Sequence, residues 1–194
     1  KGSVREKMLA ARAHDNVAVV VYNNLVGGQD ELVFDGGSLI LDEKGQIVAR
    51  GKQFAEDMIV ADLDLETVFR ARLNDPRWSI TSPSAKIMVS AMPAEGLKPD
   101  LPKKEIQVSG FPGEVYNALV LGTHDYIAKN GFSKVVIGLS GGVDSAIVAA
   151  VAVDALGKEN VVGVAMPSRY SSSGSLSDAK LLANNLGIKL MDIP

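Results

Sequence analysis

The sequence predicts an α/β protein in which an α+β piece precedes a parallel-sheet domain, and three patterns carry that expectation. From Gly113 onward, short β-branched runs alternate with longer helical patterns, as strand–helix–strand units require. Before Leu73 the order is helix, strand, hairpin, strand and helix, without that alternation. Between the two, Asn74 to Pro112 holds six of the chain's eight prolines, a density that keeps a backbone stiff and extended.

Val4 to Asn16 is rich in good helix formers and sets Met8, Leu9 and Ala13 on one side. Val17 to Tyr22 is a nearly continuous β-branched run, hence a buried strand. Asn23 to Glu31 reads as a polar loop with a flexible Gly27-Gly28 centre. Ser38 to Leu41 and Gln46 to Ala49 flank Asp42-Glu43-Lys44-Gly45, a hairpin signal. Met58 to Leu63 gives a further strand, and Asp64 opens a helix through Leu73 with Glu66 in its first turn. A long structureless stretch is uncommon inside one compact domain. Asn74 to Pro112 is therefore an interdomain connection, with Lys86 to Ser90 as a candidate edge strand. The expected division is 1–73, 74–112 and 113–194.

In the last part, Glu114 to Lys129 is a helix with Val115, Leu119 and Ile127 inward, closed by Asn130-Gly131. Val135 to Ile137 is a strand, and a helix follows from Val143 to Leu156, ended by Gly157. Val161 to Met166 is a second strand, Pro167 to Gly174 a serine-rich loop, and Leu176 to Leu186 a helix ending at Gly187. Ile188 to Ile193 is the third strand. Units of this length imply right-handed crossovers and a parallel sheet, with ligands at the carboxyl ends of its strands. That rim carries Ser140, the Pro167-Ser168-Arg169-Tyr170 loop and the end of the third strand.

Composition narrows the chemistry. A hydrophobic content of 46% over 194 residues supports a real core, and a net charge of −3 leaves no electrostatic footprint for nucleic acid. There is no cysteine, so the chain holds no thiolate nucleophile and no cysteine metal site. No apolar run approaches the roughly 20 residues that span a bilayer. No membrane partner and a cytoplasmic location are the expectation. A chain that begins at Lys1 and stops at Pro194 just after a strand is expected to be part of a longer polypeptide.

The densest chemical signal is Gly138-Leu139-Ser140-Gly141-Gly142-Val143-Asp144-Ser145. Glycines let the backbone turn sharply and approach a ligand closely. The first N–H groups of the following helix then face that ligand with the positive end of the dipole, which favours phosphate. Ser140 and Ser145 add hydroxyls. Asp144 has two readings: a ligand to magnesium bridging it to the phosphate, or a first-turn acid that only complements the helix dipole. The run is not a Walker A loop. The nearest approach to one places five residues between Gly45 and Gly51 and follows Lys52 with Gln53.

Ser140-Gly141-Gly142-Val143-Asp144-Ser145 resembles the pyrophosphate loop of the N-type ATP pyrophosphatase superfamily, whose members cleave ATP to AMP and pyrophosphate while adenylating an oxygen. The run from Lys134 to Pro194, with Met166-Pro167-Ser168-Arg169-Tyr170-Ser171-Ser172, resembles the synthetase domain of glutamine-dependent NAD synthetases. Lys1 to Arg72, with Val26-Gly27-Gly28-Gln29-Asp30-Glu31-Leu32-Val33-Phe34-Asp35-Gly36-Gly37-Ser38, is similar to the final third of their nitrilase-type glutaminase domain. The resemblance implies a partial nitrilase-like α+β sandwich followed by a doubly wound, parallel-sheet ATP pyrophosphatase domain of the adenine nucleotide alpha hydrolase-like kind.

It also implies the reaction. ATP with magnesium adenylates the nicotinate carboxylate of deamido-NAD, and ammonia, from glutamine or free, displaces AMP. Gly138 to Ser145 would cradle the pyrophosphate, Asp144 would ligate magnesium, and Met166 would line an adenosine pocket. Lys1 would either align with a basic residue that holds glutamine or be an ordinary solvated lysine. The family's Glu, Lys and Cys glutaminase constellation lies earlier in that domain, so no catalytic residue is assigned here and the piece alone is expected to be inert. Homo-oligomers are a further implication. Gln29-Asp30-Glu31 reads as a turn rather than the lining of an ammonia passage, and Arg169 as a loop arginine rather than a phosphate ligand. His14 and His124 lack partners at metal-ligand spacing, and Trp78 is read as an anchor of the linker. The alternatives are a GMP or asparagine synthetase, whose glutaminases are not nitrilase-like, a non-catalytic ATP-binding module, and a purely structural fragment.

Overall fold

The computed structural model describes residues 4–77, 87–88, 100–101, 108–167 and 173–193. In chain order they form α1 (Val4–Asp15), β1 (Val20–Tyr22), β2 (Val26–Gln29), β3 (Leu32–Asp35), β4 (Leu39–Leu41), β5 (Ile47–Arg50) and α2 (Leu65–Leu73). Then follow α3 (Phe111–Lys129), β6 (Val135–Gly138), α4 (Val143–Leu156), β7 (Val161–Ala165), α5 (Ser173–Leu186) and β8 (Lys189–Asp192). The chain divides into two compact units, one of Lys1–Asn23, Gly37–Lys52 and Asp57–Gln107, the other of Asn24–Gly36, Gln53–Glu56 and Val108–Pro194.

The first unit is built on the antiparallel sheet β1-β4-β5. Leu9 and Ala13, one helical turn apart on α1, pack with Leu39 and Leu41 into a buried cluster. The strand expected from Val17 begins only at Val20. The reason is how α1 ends: Val17 N–H donates to His14 O and Ala18 N–H to Ala13 O, the paired bonds of a Schellman closure. That closure holds Val17 at φ 42. A valine takes this left-handed position where glycine is usual, and its side chain is buried in return. The hairpin forms as expected, with Asp42 Oδ1 accepting from the Lys44 and Gln46 amides.

The strand expected over Met58 to Leu63 does not form. Met58 and Val60 stand 81% and 62% exposed, so among the described residues the apolar pattern there meets no strand to pair with. Asp64 caps α2 as its position suggests, accepting from Glu66 N–H at 3.0 Å. Trp78 and most of the proline-rich stretch, including Lys86, Val89 and Ser90 of the candidate edge strand, lie outside the described residues.

Gly45 fixes the fit of the hairpin to α1. It sits at φ +79, and a Cβ there would come 2.6 Å from Ala10 O. Gly45→Ala is therefore expected to destabilise this unit by about 2–4 kcal/mol, summing left-handed strain and a backbone collision. Urea unfolding followed by circular dichroism reads the shift, with the adjacent Lys44→Ala as a control that changes little.

The second unit holds the parallel sheet β6-β7-β8, with Val135 paired to Val161 and Val162 to Lys189. Both crossovers step in the same direction, so right-handedness puts α4 and α5 side by side on one face. Ala149, Ala152, Ala179 and Ala183 bring these helices close over Val161 and Ile188. α3 starts three residues before the expected Glu114 because Pro112, read as linker, occupies its first turn. Proline is favoured there, since its missing N–H has no helical partner to lose. Val115 and Leu119, expected inward, are 44% and 50% exposed. Leu119 borders an open apolar groove with Val135, Ile137, Ile147 and Val148.

The loop expected at Asn23 to Glu31 is instead the first half of an antiparallel hairpin, β2-β3, with Gln29 opposite Leu32. Asp30, at φ 50, and Glu31 make its tip, whereas Gln29, expected in the turn, is the last residue of β2.

Candidate functional site

The loop after β6 is rooted by Leu139, whose N–H donates to Val164 O at 2.8 Å, extending the β6–β7 ladder by one bond. The Leu139 side chain is buried in the core. Gly163 on β7 makes the room for it, since a Cβ there would lie 2.7 Å from Leu139 Cδ1. With Leu139 turned inward, Ser140 emerges at the carboxyl end of the strand.

Gly141 then takes φ +78, and a Cβ on it would come 2.4 Å from Ser175 O at the start of α5. Only glycine lets the loop lie this close to the second helix. Gly142 returns to an extended conformation and is the N-cap of α4, with no side chain to cap the helix. The first helical bond is Ala146 N–H to Gly142 O, at 3.1 Å. Among the described residues, the amides of Val143, Asp144 and Ser145 have no acceptor, leaving three donors at the positive end of α4.

Two serines brace the loop from within. Ser145 Oγ donates to Gly142 O at 3.0 Å and receives Ser140 N–H at 3.3 Å, and the two hydroxyls are 3.1 Å apart. Ser140 Oγ accepts from Gly142 N–H. These bonds hold the concave shape of the loop, so its donors are arranged before any ligand arrives.

Asp144 projects from the first turn of α4 and is exposed, and among the described residues its carboxylate has no hydrogen-bond or ion-pair partner. No three acidic or histidine side chains converge there or elsewhere among the described residues. One carboxylate beside free amide donors suits magnesium, which is commonly held by one or two protein carboxylates together with phosphate oxygens and water. It does not suit an all-protein metal cage.

Met166, just past β7, shares a cleft of about 140 Å³ with Leu139, Ser140, Pro167 and Ser175. Its Cε lies 3.6 Å from where a Gly138 Cβ would stand, so the thioether covers the end of β6. The structure thus brings together Gly138 to Ser145 and Met166. Lys1 and Arg169 lie outside the described residues. His14 and His124 each pair with the aspartate that follows them.

Sequence reasoning missed Ser175 and Asp178. Asp178 lines a second cleft, of about 310 Å³, with Gly141, Gly142 and Leu181. Placing the start of the last helix at Leu176, three residues late, left these residues at a helix end. The serine-to-acid spacing of Ser175-Leu176-Ser177-Asp178 favours a helix starting at Leu176, so no local signal gave the earlier start.

The NAD synthase family model matches residues 115–194, and the carbon-nitrogen hydrolase model matches residues 3–73. A glutamine-dependent NAD(+) synthetase of Aquifex aeolicus is 50% identical over all of the chain and 34% of its own length. That of Thermotoga maritima is 46% identical with the same coverage. Among solved structures, the glutamine-dependent NAD+ synthetase of Acinetobacter baumannii, in complex with ADP, aligns with 97% of the chain and 30% of its own, at TM-score 0.72 and 32% identity. A Cytophaga hutchinsonii synthetase shares the fold over 98% of the chain and 33% of its own, at TM-score 0.67 and 18% identity. The chain thus spans about a third of the length of these two curated relatives.

Proposed function

We infer that this chain, which belongs to the carbon-nitrogen hydrolase family over residues 3–73 and to the NAD synthase family over residues 115–194, is part of an enzyme that amidates deamido-NAD at the expense of ATP. Glutamine is the nitrogen source and free ammonia can replace it. The two matches end and begin on either side of the proline-rich stretch. This supports reading 1–73 as a glutaminase piece, 74–112 as connection and 113–194 as a synthetase piece. The ADP-bound relative supports an adenine nucleotide as ligand.

The observation that carries the reading is the loop from Gly138 to Ser145, with three amide donors and a carboxylate that have no partner among the described residues. In the first step a carboxylate oxygen of deamido-NAD attacks the α-phosphorus of ATP, and the bond to the β-phosphate oxygen breaks. The amides of Val143, Asp144 and Ser145 receive the charge that develops on the departing pyrophosphate. Asp144 holds magnesium, which neutralises phosphate charge when bound. Met166, with Pro167, offers an apolar wall on which the adenosine rests. In the second step ammonia attacks the activated carbonyl carbon and AMP leaves. The glutamine-hydrolysing thiolate cannot come from these residues, which contain no cysteine.

The test is to supply the full-length enzyme with ATP, magnesium, deamido-NAD and either glutamine or ammonia, and to identify the nucleotide released. AMP with pyrophosphate, and NAD from both nitrogen sources, are expected. Release of ADP would overturn the pyrophosphate-loop mechanism, and indifference to deamido-NAD would overturn the substrate.

A further inference from the structure

The β2–β3 hairpin belongs to one family by sequence and to the other unit by packing. It lies within the residues that match carbon-nitrogen hydrolases, yet it groups with the unit that contains the parallel sheet. Its partner there is α3. Gly28 N–H donates to Asp125 Oδ2 at 2.8 Å, and Lys129 Nζ donates to Gly28 O. Asp125 and Lys129, one helical turn apart, thus take both backbone polar groups that Gly28 presents on the outer edge of β2. An open strand edge is otherwise a liability.

The approach is close enough to exclude side chains. A Cβ at Gly27 would lie 2.9 Å from Asp125 Oδ2, one at Gly28 would lie 3.1 Å from Gly122 Cα, and one at Gly122 would lie 3.0 Å from Val33 Cγ2. The base of the hairpin is tied as well. Asn24 Nδ2 donates to Asp35 Oδ1 and to Gly36 O, and Phe54 N–H donates to Asp35 O. Ser109 N–H, just ahead of α3, donates to Gln53 Oε1. Hydrogen bonds from the His124 ring and then from Gly28 N–H, with the nearby Lys129 charge, hold the Asp125 carboxyl below the usual carboxylate range, so it stays ionised throughout the neutral range.

We propose that this hairpin is the element that couples the glutaminase half to the synthetase half, and that Asp125 is the positioning residue that seats it on α3. The inference rests on the functional reading above. Ammonia is small and diffusible, so a glutamine-fed enzyme gains from a fixed joint between its halves that a supply of free ammonia does not need. A loosened joint therefore damages glutamine-driven synthesis selectively.

The experiment compares Asp125→Ala with the parent full-length enzyme, measuring NAD formed from glutamine, NAD formed from ammonia, and glutamate released per NAD. The variant is expected to lose about fivefold or more of the glutamine-driven rate. Its ammonia-driven rate should stay within about twofold of the parent's, and its glutamate per NAD should rise. Asp125→Asn, which keeps an acceptor oxygen for Gly28 N–H, restores most of the coupling. Should Asp125→Ala fail to fold, Gly28→Ala must show the same split. A parent that makes no NAD from ammonia overturns the functional reading, and this inference with it. An active parent whose variants keep the glutamine-to-ammonia ratio, or lose both rates in parallel, overturns the inference alone.

Discussion

Asp144→Ala is expected to abolish NAD formation from glutamine and from ammonia alike, by at least about a hundredfold in kcat/KM for ATP. The argument is electrostatic. Removing the carboxylate leaves the three amide donors of α4 in place, so the loop still attracts phosphate, but the group proposed to hold magnesium against it is gone. Asp144→Asn should be nearly as inactive, because the amide keeps the shape and loses the charge. The folded state should be unaffected, since Asp144 is exposed and has no partner among the described residues. Thermal unfolding within a degree or two of the parent, together with loss of pyrophosphate release, is the combined result that supports the assignment. A variant that keeps its pyrophosphate release would return Asp144 to complementing the helix dipole.

How far the sequence carried the reading depended on where each element finds its stabilising contacts. α4 was readable to the residue, because Gly142 and Gly157 bracket an apolar run whose support is local. The parallel strands were readable for the same reason: Val135 to Ile137 and Val161 to Ala165 are β-branched or small and lie between glycines or turn residues. The β2–β3 hairpin was not. Val26-Gly27-Gly28-Gln29 has poor strand propensity, and what holds it is a carboxylate 97 positions further along the chain. Met58 to Leu63 failed in the opposite sense, with a good local pattern and, among the described residues, no neighbour to pair with. At the proposed site, the strand–glycine–helix form of Gly138 to Ser145 was readable because its contacts are local. The contact of Gly141 with Ser175 was not, because it depends on where α5 begins.

That contact sets the other large expected effect. Gly141→Ala should reduce ATP-driven synthesis by about a hundredfold while leaving the protein folded. Two costs combine. An L-residue at φ +78 carries about 1–2 kcal/mol of backbone strain, and its Cβ would stand 2.4 Å from Ser175 O and 2.8 Å from Ser175 Cα. Both neighbours are main-chain atoms, so no side-chain rotation relieves the collision. Either α5 or the loop must shift by the better part of an ångström, and the loop, rooted at Leu139 and braced beyond it by the Ser140 and Ser145 hydroxyls, is the softer of the two. Such a shift re-aims the donors of Val143 to Ser145, and a 1 Å misplacement is worth about a hundredfold in rate. Gly131→Ala separates the causes. Gly131 has the same φ of +78 but nothing within 4 Å of a Cβ, so it carries the strain without the collision. It should lower the unfolding midpoint slightly and leave synthesis intact. If Gly131→Ala and Gly141→Ala behave alike, the close packing of the loop on α5 is not what shapes the site.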